Sequence, residues 1–278
     1  MIFSHEFRMM TQEGHLASTS LLASFEALAK LDYDKPGTVY SMLFQLATGL
    51  ERVMKIVIIL DHKARNDLAN PSDMQLRRLG HSITDLYLVL RSTGETLSIT
   101  DGWFEANTVH GEILATLSEF ARSSRYYNID QLVSGRDNLD PLIRWFITHM
   151  RIAHNTISNN RLNGIMKRTR SHCEALGLFG WEMGPKGQWD LTIDVTYQLE
   201  VARVSRGHCV WAIIEILKPI YLLIDRLGNE VHQLERQNGI EPPTVPYMTE
   251  FFPFCLEDKA EAIRRKSWTT LFYIAGRV

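Results

Sequence analysis

The stretch VYSMLFQLATGLERVMKIVIILDH, residues 39–62, decides the fold. Leu43, Leu46, Ala47, Leu50, Val53, Met54, Val57 and Ile58 recur at three–four spacing throughout, which lays one apolar stripe along an α-helix. Upstream, Leu16, Leu21, Leu22, Phe25, Leu28 and Leu31 carry the same rhythm, closed by a turn at Lys35-Pro36-Gly37. Downstream, Ser72-Asp73-Met74-Gln75 fits a capping box just after Pro71. It predicts one helix through Leu76, Leu79, Ile83, Leu86 and Leu90, ended by Arg91-Ser92-Thr93-Gly94. A further helix is expected from about His110 to Tyr126, then a polar loop at Ser134-Gly135-Arg136-Asp137. Asp140-Pro141 supplies an N-cap with proline at the first helical position and opens a helix to about Asn155. A basic helix covers roughly Asn160 to Leu176.

Beyond it the pattern changes. Trp181-Glu182-Met183 and Gln188-Trp189-Asp190-Leu191-Thr192-Ile193 flank Gly184-Pro185-Lys186-Gly187, which reads as a β-hairpin. A long helix is expected from Tyr197 to about Gln237, with Pro219 as the place for a bend. The tail from Gly239 to Val278, rich in proline and aromatics, reads as extended or short structure. The fold class is thus mainly α: a helical bundle with a small β-hairpin insert and a long C-terminal helix. Residues 1–178 are assigned to the bundle, and 179–278 to a hairpin, helix and tail packed on it.

Composition narrows the function. Of 278 residues, 45% are hydrophobic and 22% charged, values of a globular chain, and the formal net charge is −2. Bulk electrostatic coating of nucleic acid calls for a large positive excess, which is missing. Cys173, Cys209 and Cys255 form no CxxC pair, so neither a zinc ribbon nor a disulfide framework is indicated, and a reducing, cytoplasmic setting is expected. The apolar run Ile213 to Ile224 is interrupted by Glu215, Lys218 and Pro219, so no membrane partner is expected. Phosphate-loop, dinucleotide, HExxH, GxSxG and EF-hand motifs are all absent from the sequence, and no metal or cofactor is assigned.

One polar constellation spans two predicted helices. Glu51 and Lys55 are spaced i,i+4 in the favourable order, and His81 and Asp85 repeat the spacing on the next helix. As surface pairs they contribute only ~0.3–0.5 kcal/mol each. We read them as a structural polar cluster between helices, because a carboxylate one turn from an imidazole fixes its tautomer.

Gly49-Leu50-Glu51-Arg52-Val53-Met54-Lys55, then Gly80-His81-Ser82-Ile83-Thr84-Asp85-Leu86, then Phe120-Ala121-Arg122-Ser123-Ser124-Arg125-Tyr126-Tyr127 follow one another in order and spacing. Together they resemble HEPN domains over about residues 16–160. The resemblance implies a small helical bundle, often a homodimer, from toxin–antitoxin or antiviral defence systems. Many such proteins are metal-independent endoribonucleases whose site is an Arg with a His about four to six residues on. Arg144-Trp145-Phe146-Ile147-Thr148-His149 matches that spacing, and Arg151-Ile152-Ala153-His154-Asn155 follows with a shorter gap.

Helical geometry separates the two candidates: Arg144 and His149 point roughly 140° apart, Arg151 and His154 only about 60°, with Arg144 some 20° from Arg151. Arg144, Arg151 and His154 therefore make the better cluster. His154 would be the general base on a ribose 2′-hydroxyl, with the arginines stabilising phosphate charge. The plain alternative is two surface arginines and a helix C-terminal histidine that complements the dipole. Arg161, Lys167, Arg168 and Arg170, with His172, crowd the next helix as phosphate-positioning candidates for RNA, or as a solvated face. Trp181, Trp189 and Tyr197 could stack bases but more commonly pack. Two readings stay open: an endoribonuclease acting on RNA, or a non-catalytic scaffold or sensor that binds a partner protein or ligand.

Overall fold

The computed structural model describes residues 3–134 and 139–271. The expected loop at Ser134–Asp137 lies, past Ser134, outside them. Helix α1 (His5–Ala29) is capped by Ser4, whose hydroxyl accepts from Phe7 N, and α2 (Pro36–Arg65) starts with proline in its first turn. Both outrun the sequence expectation. The stripe read in residues 39–62 is the buried face of α2: Leu43, Leu46, Leu50, Val53, Met54 and Val57 are all buried against α1 and its other neighbours.

The helix expected from Ser72 to Leu90 is two helices. The Ser72 capping box forms as read and opens α3 (Asp73–Arg78). Gly80, at φ 59°, then takes the chain through the left-handed region, and Ser82 caps a new start at α4 (Ile83–Thr96) through Asp85 N. Next come α5 (Val109–Arg122) and α6 (Tyr127–Ser134). Asp140 caps α7 (Pro141–Thr156), and Ser158 caps α8 (Asn159–Leu176).

The hairpin forms around Gly184–Gly187, but its second arm is shorter than read, because Thr192 and Ile193 already belong to the helix that follows. Strands β1 (Trp181–Met183) and β2 (Trp189–Leu191) pair antiparallel in the register Trp181↔Leu191, Glu182↔Asp190, Met183↔Trp189. The chain passes directly into α9 (Thr192–Gln237), which runs through Pro219 as one helix of 46 residues. By length and composition α9 is the one described helix that could cross a membrane, yet 67% of its most apolar window is buried in the fold. The tail forms two 3₁₀ turns, Met248–Phe251 and Pro253–Leu256, and α10 (Lys259–Arg264).

One main core joins α1, α2, α4, α5 and the middle of α9 with the tail side chains Phe252, Phe254 and Trp268. Phe25 of α1 meets Phe254 and Trp268 edge-on, at centroid distances of 5.3 and 5.2 Å. Beside this tether, Lys30 first and Thr269 second hold the Glu26 carboxyl down to about 2. A smaller cluster gathers Phe146, Met150 and Ala153 of α7, Leu162 and Ile165 of α8, and Val201 of α9. That cluster sets the spacing between α7, α8 and the start of α9, where the candidate residues lie.

Candidate functional site

The arginines of α7 face α5. Arg144 pairs with Glu119 and Arg151 with Glu112. Between them, Thr116 and Thr148 share a hydroxyl contact at 3.3 Å, while Thr148 donates to the Arg144 carbonyl at 3.0 Å. Glu112 and Glu119 are seven residues apart, as are Arg144 and Arg151, so the pairs form a ladder up one face of each helix. The predicted kinship of Arg144 with Arg151 holds in direction, but the surface they share is a helix–helix seam.

His149 is fully buried, not a site residue at the surface. Its Nδ1 lies 2.7 Å from Tyr33 Oη and its Nε2 2.9 Å from Ser205 Oγ, while the Ser205 hydroxyl donates to Val201 O at 2.8 Å. With the serine proton spent on that carbonyl, the consistent assignment has Tyr33 donating to Nδ1 and Nε2–H donating to Ser205. Burial first, then the charges of Arg206 and His208, push its pKa down to about 3. The imidazole is a neutral, fully bonded core group.

His154, by contrast, is exposed and makes no hydrogen bond or ion pair among the described residues. With Arg151 it lines an open cleft of about 490 Å³, bounded also by Met166 of α8, Lys186 and Asp190 of the hairpin, and Asp194 of α9. Arg151 and His154 are therefore brought together; Arg144 and His149 do not reach this cleft. Lys186 adds positive charge there, but Asp190 and Asp194 offset it.

The cations of α8 divide between two flanks. Leu162, Ile165, Thr169 and Cys173 form its buried face. Arg161, Arg168 and His172 fall within about 40° of one another on one side. Arg168 and His172 line a cavity of about 300 Å³ with Glu200 of α9. Lys167 and Arg170 lie on the outer side, with Glu174 between them in direction. All four predicted RNA-binding cations are exposed, and none makes an ion pair among the described residues.

Of the expected polar cluster, Glu51, Lys55 and His81 meet: Lys55 Nζ and His81 Nδ1 each approach Glu51 Oε1 at 2.8 Å. Burial pushes the Glu51 carboxyl up, but hydrogen bonds from Lys55 and His81 outweigh it and hold it below its usual value. Asp85 stays out, because the helix break at Gly80 leaves His81 off α4 and places Asp85 in its first turn. There its carboxylate favours the positive end of the helix.

Sequence reasoning passed over a further polar knot. His232 Nδ1 lies 3.1 Å from Glu235 Oε2, and Thr244 donates to Glu235 Oε1 through both N (2.6 Å) and Oγ1 (2.5 Å). His232 and Glu235 are both buried, and His232 Nε2 has no hydrogen-bond partner among the described residues. The i,i+3 spacing was visible; the burial was not. His110 stacks on Phe104 at 3.7 Å and meets Glu215 at 3.0 Å. His15 packs edge-on against Phe251. Among the described residues, no three His, Cys, Asp or Glu side chains come together in a way that could hold a metal ion. Compared with protein-family models, curated proteins and solved structures, the chain matches none.

Proposed function

We propose that the chain is a HEPN-like helical scaffold of a bacterial conflict system that works by binding, without ribonuclease chemistry of its own. The observation that carries this reading is the ladder between α5 and α7. A guanidinium stabilises a developing phosphate charge only if it is aimed at the phosphate and not already neutralised. Arg144 and Arg151 each face a glutamate, and an incoming phosphate would have to displace a carboxylate while being repelled by it. His149 is sealed in the core. The exposed cations of α8 and the exposed hairpin remain as binding surface.

A second reading, a metal-independent endoribonuclease, is favoured by one observation: Arg151 and His154 share an open cleft. The two part in a cleavage assay with total RNA and tRNA, without added metal, beside His154→Ala. The scaffold reading expects no cleavage from folded protein. Products with 2′,3′-cyclic phosphate ends, abolished in the variant, would replace it with the enzyme.

A further inference from the structure

Resting on that binding reading, we infer that the hairpin and the second half of α8 form a docking surface for an anionic lipid bilayer. The register fixes the geometry. Directly opposed residues of an antiparallel pair share a face, as do residues two apart on one strand. Trp181, Met183, Trp189 and Leu191 therefore all stand on one face of the ribbon, and all are exposed, at 67%, 56%, 63% and 42%. The intervening pair, Glu182 and Asp190, stands on the opposite face, and Asp190 lines the inner cleft. In the chain leading into the hairpin Leu176, Leu178 and Phe179 are exposed as well, at 60%, 40% and 77%. Scattered exposed apolar residues need no explanation, but seven within sixteen positions form a patch of the kind that marks an interaction surface.

Two features select lipid as the occupant. The first is charge. Gly177, in the left-handed conformation, ends α8 immediately before this patch, with Leu178 N donating to Cys173 O at 2.9 Å. The middle of that helix carries Lys167 and Arg170 on its outer side, exposed and without ion-pair partners among the described residues, with Glu174 between them in direction and no basic residue in the last turn. The ribbon's own acids are turned inward. Apolar side chains flanked by uncompensated cations match a surface that is anionic outside and apolar beneath, with tryptophan at the boundary between them.

The second feature is shape. None of the cavities described above is lined by the four outer side chains. A protein partner is commonly anchored by side chains that fill pockets, whereas a bilayer asks only for side chains that insert. Trp181 and Trp189 offer rings on which a base can stack, but Met183 and Leu191 beside them add aliphatic surface that suits acyl chains. The expectation of no membrane partner rested on the lack of a spanning segment, and a surface patch of this kind is a different mode of attachment.

The test is flotation of the full chain with vesicles of phosphatidylcholine alone or with one third phosphatidylglycerol, at low and high salt. The wild type should float with the anionic vesicles, with a blue shift of tryptophan emission. Each cation near the surface is worth about fivefold in binding, so high salt or Lys167→Gln with Arg170→Gln should lower the bound fraction by an order of magnitude or more. Trp181→Ser with Trp189→Ser should abolish flotation at unchanged helicity and melting temperature, since both side chains are exposed. Absence of flotation, flotation indifferent to lipid charge, or flotation unaffected by the tryptophan changes would overturn the proposal. So would a wild-type dimer that the tryptophan changes dissolve, which would make the patch a self-interface. RNA cleavage by the same preparation is scored separately: cleavage refutes the scaffold reading, whereas no cleavage and no flotation refutes only the lipid surface.

Discussion

His149 makes stability depend on pH in a direction and an amount that follow from its surroundings. Unfolded, the imidazole titrates at 6.5; folded, burial among Tyr33, Ser205 and the charges of Arg206 and His208 brings it to about 3. Below pH 6.5 the unfolded chain takes up a proton that the folded chain refuses, so the contribution is complete above 6.5 and is lost as the pH falls towards 3. At 1.36 kcal/mol per unit, the loss is about 2 kcal/mol at pH 5 and on the order of 5 kcal/mol by pH 3. The assay is urea denaturation at pH 7.5 and 5.0 of the wild type and His149→Gln, which keeps an amide donor and acceptor but does not titrate. The variant is less stable at pH 7.5, because Tyr33 and Ser205 lose matched partners. Between the two pH values, however, the wild type should lose about 2 kcal/mol more than the variant, all other groups cancelling in the comparison. The same pH dependence in both proteins would refute the placement of a neutral imidazole in this core.

Three further outcomes follow from the packing. Glu112→Gln and Arg151→Gln, singly and together, should give a coupling of at most about 1 kcal/mol by double-mutant cycle, because both side chains are partly solvated; a coupling above 3 kcal/mol would show a dry seam. Glu235→Ala leaves His232 and the Thr244 amide without their acceptor in a buried setting and should cost about 3 kcal/mol in chemical denaturation, while an effect under 1 kcal/mol would mean that water replaces it. Gly207→Ala would place a Cβ 2.0 Å from the Ile263 carbonyl oxygen, so α10 must shift from α9 at a cost of about 1–3 kcal/mol. Unchanged melting of that variant would contradict the close docking of the tail.

How far the sequence could be read depends on the range of the forces involved. The helical stripe of α2, the capping box at Ser72, the Asp140-Pro141 start and the hairpin around Gly184–Gly187 are set by near neighbours, through periodicity, caps and turn preferences. All four formed as expected. The break at Gly80 was also written locally, as a glycine followed by the N-cap Ser82, but the apolar rhythm running across it concealed the stop. The candidate site was a different matter. Arg144, Arg151, His149 and His154 sit on one helix, and their angular separations were calculable in advance. What occupies the opposing surfaces was not: α5 brings glutamates to the arginines, Tyr33 and Ser205 close over His149, and His154 is left beside Arg151 on an open cleft. Those partners come from 25 to 116 positions away along the chain. The sequence determined which helices form and which faces they bury, because those choices are made within a few residues. Only the tertiary structure decided which charges are spent on packing and which stay free, because that depends on what each face meets.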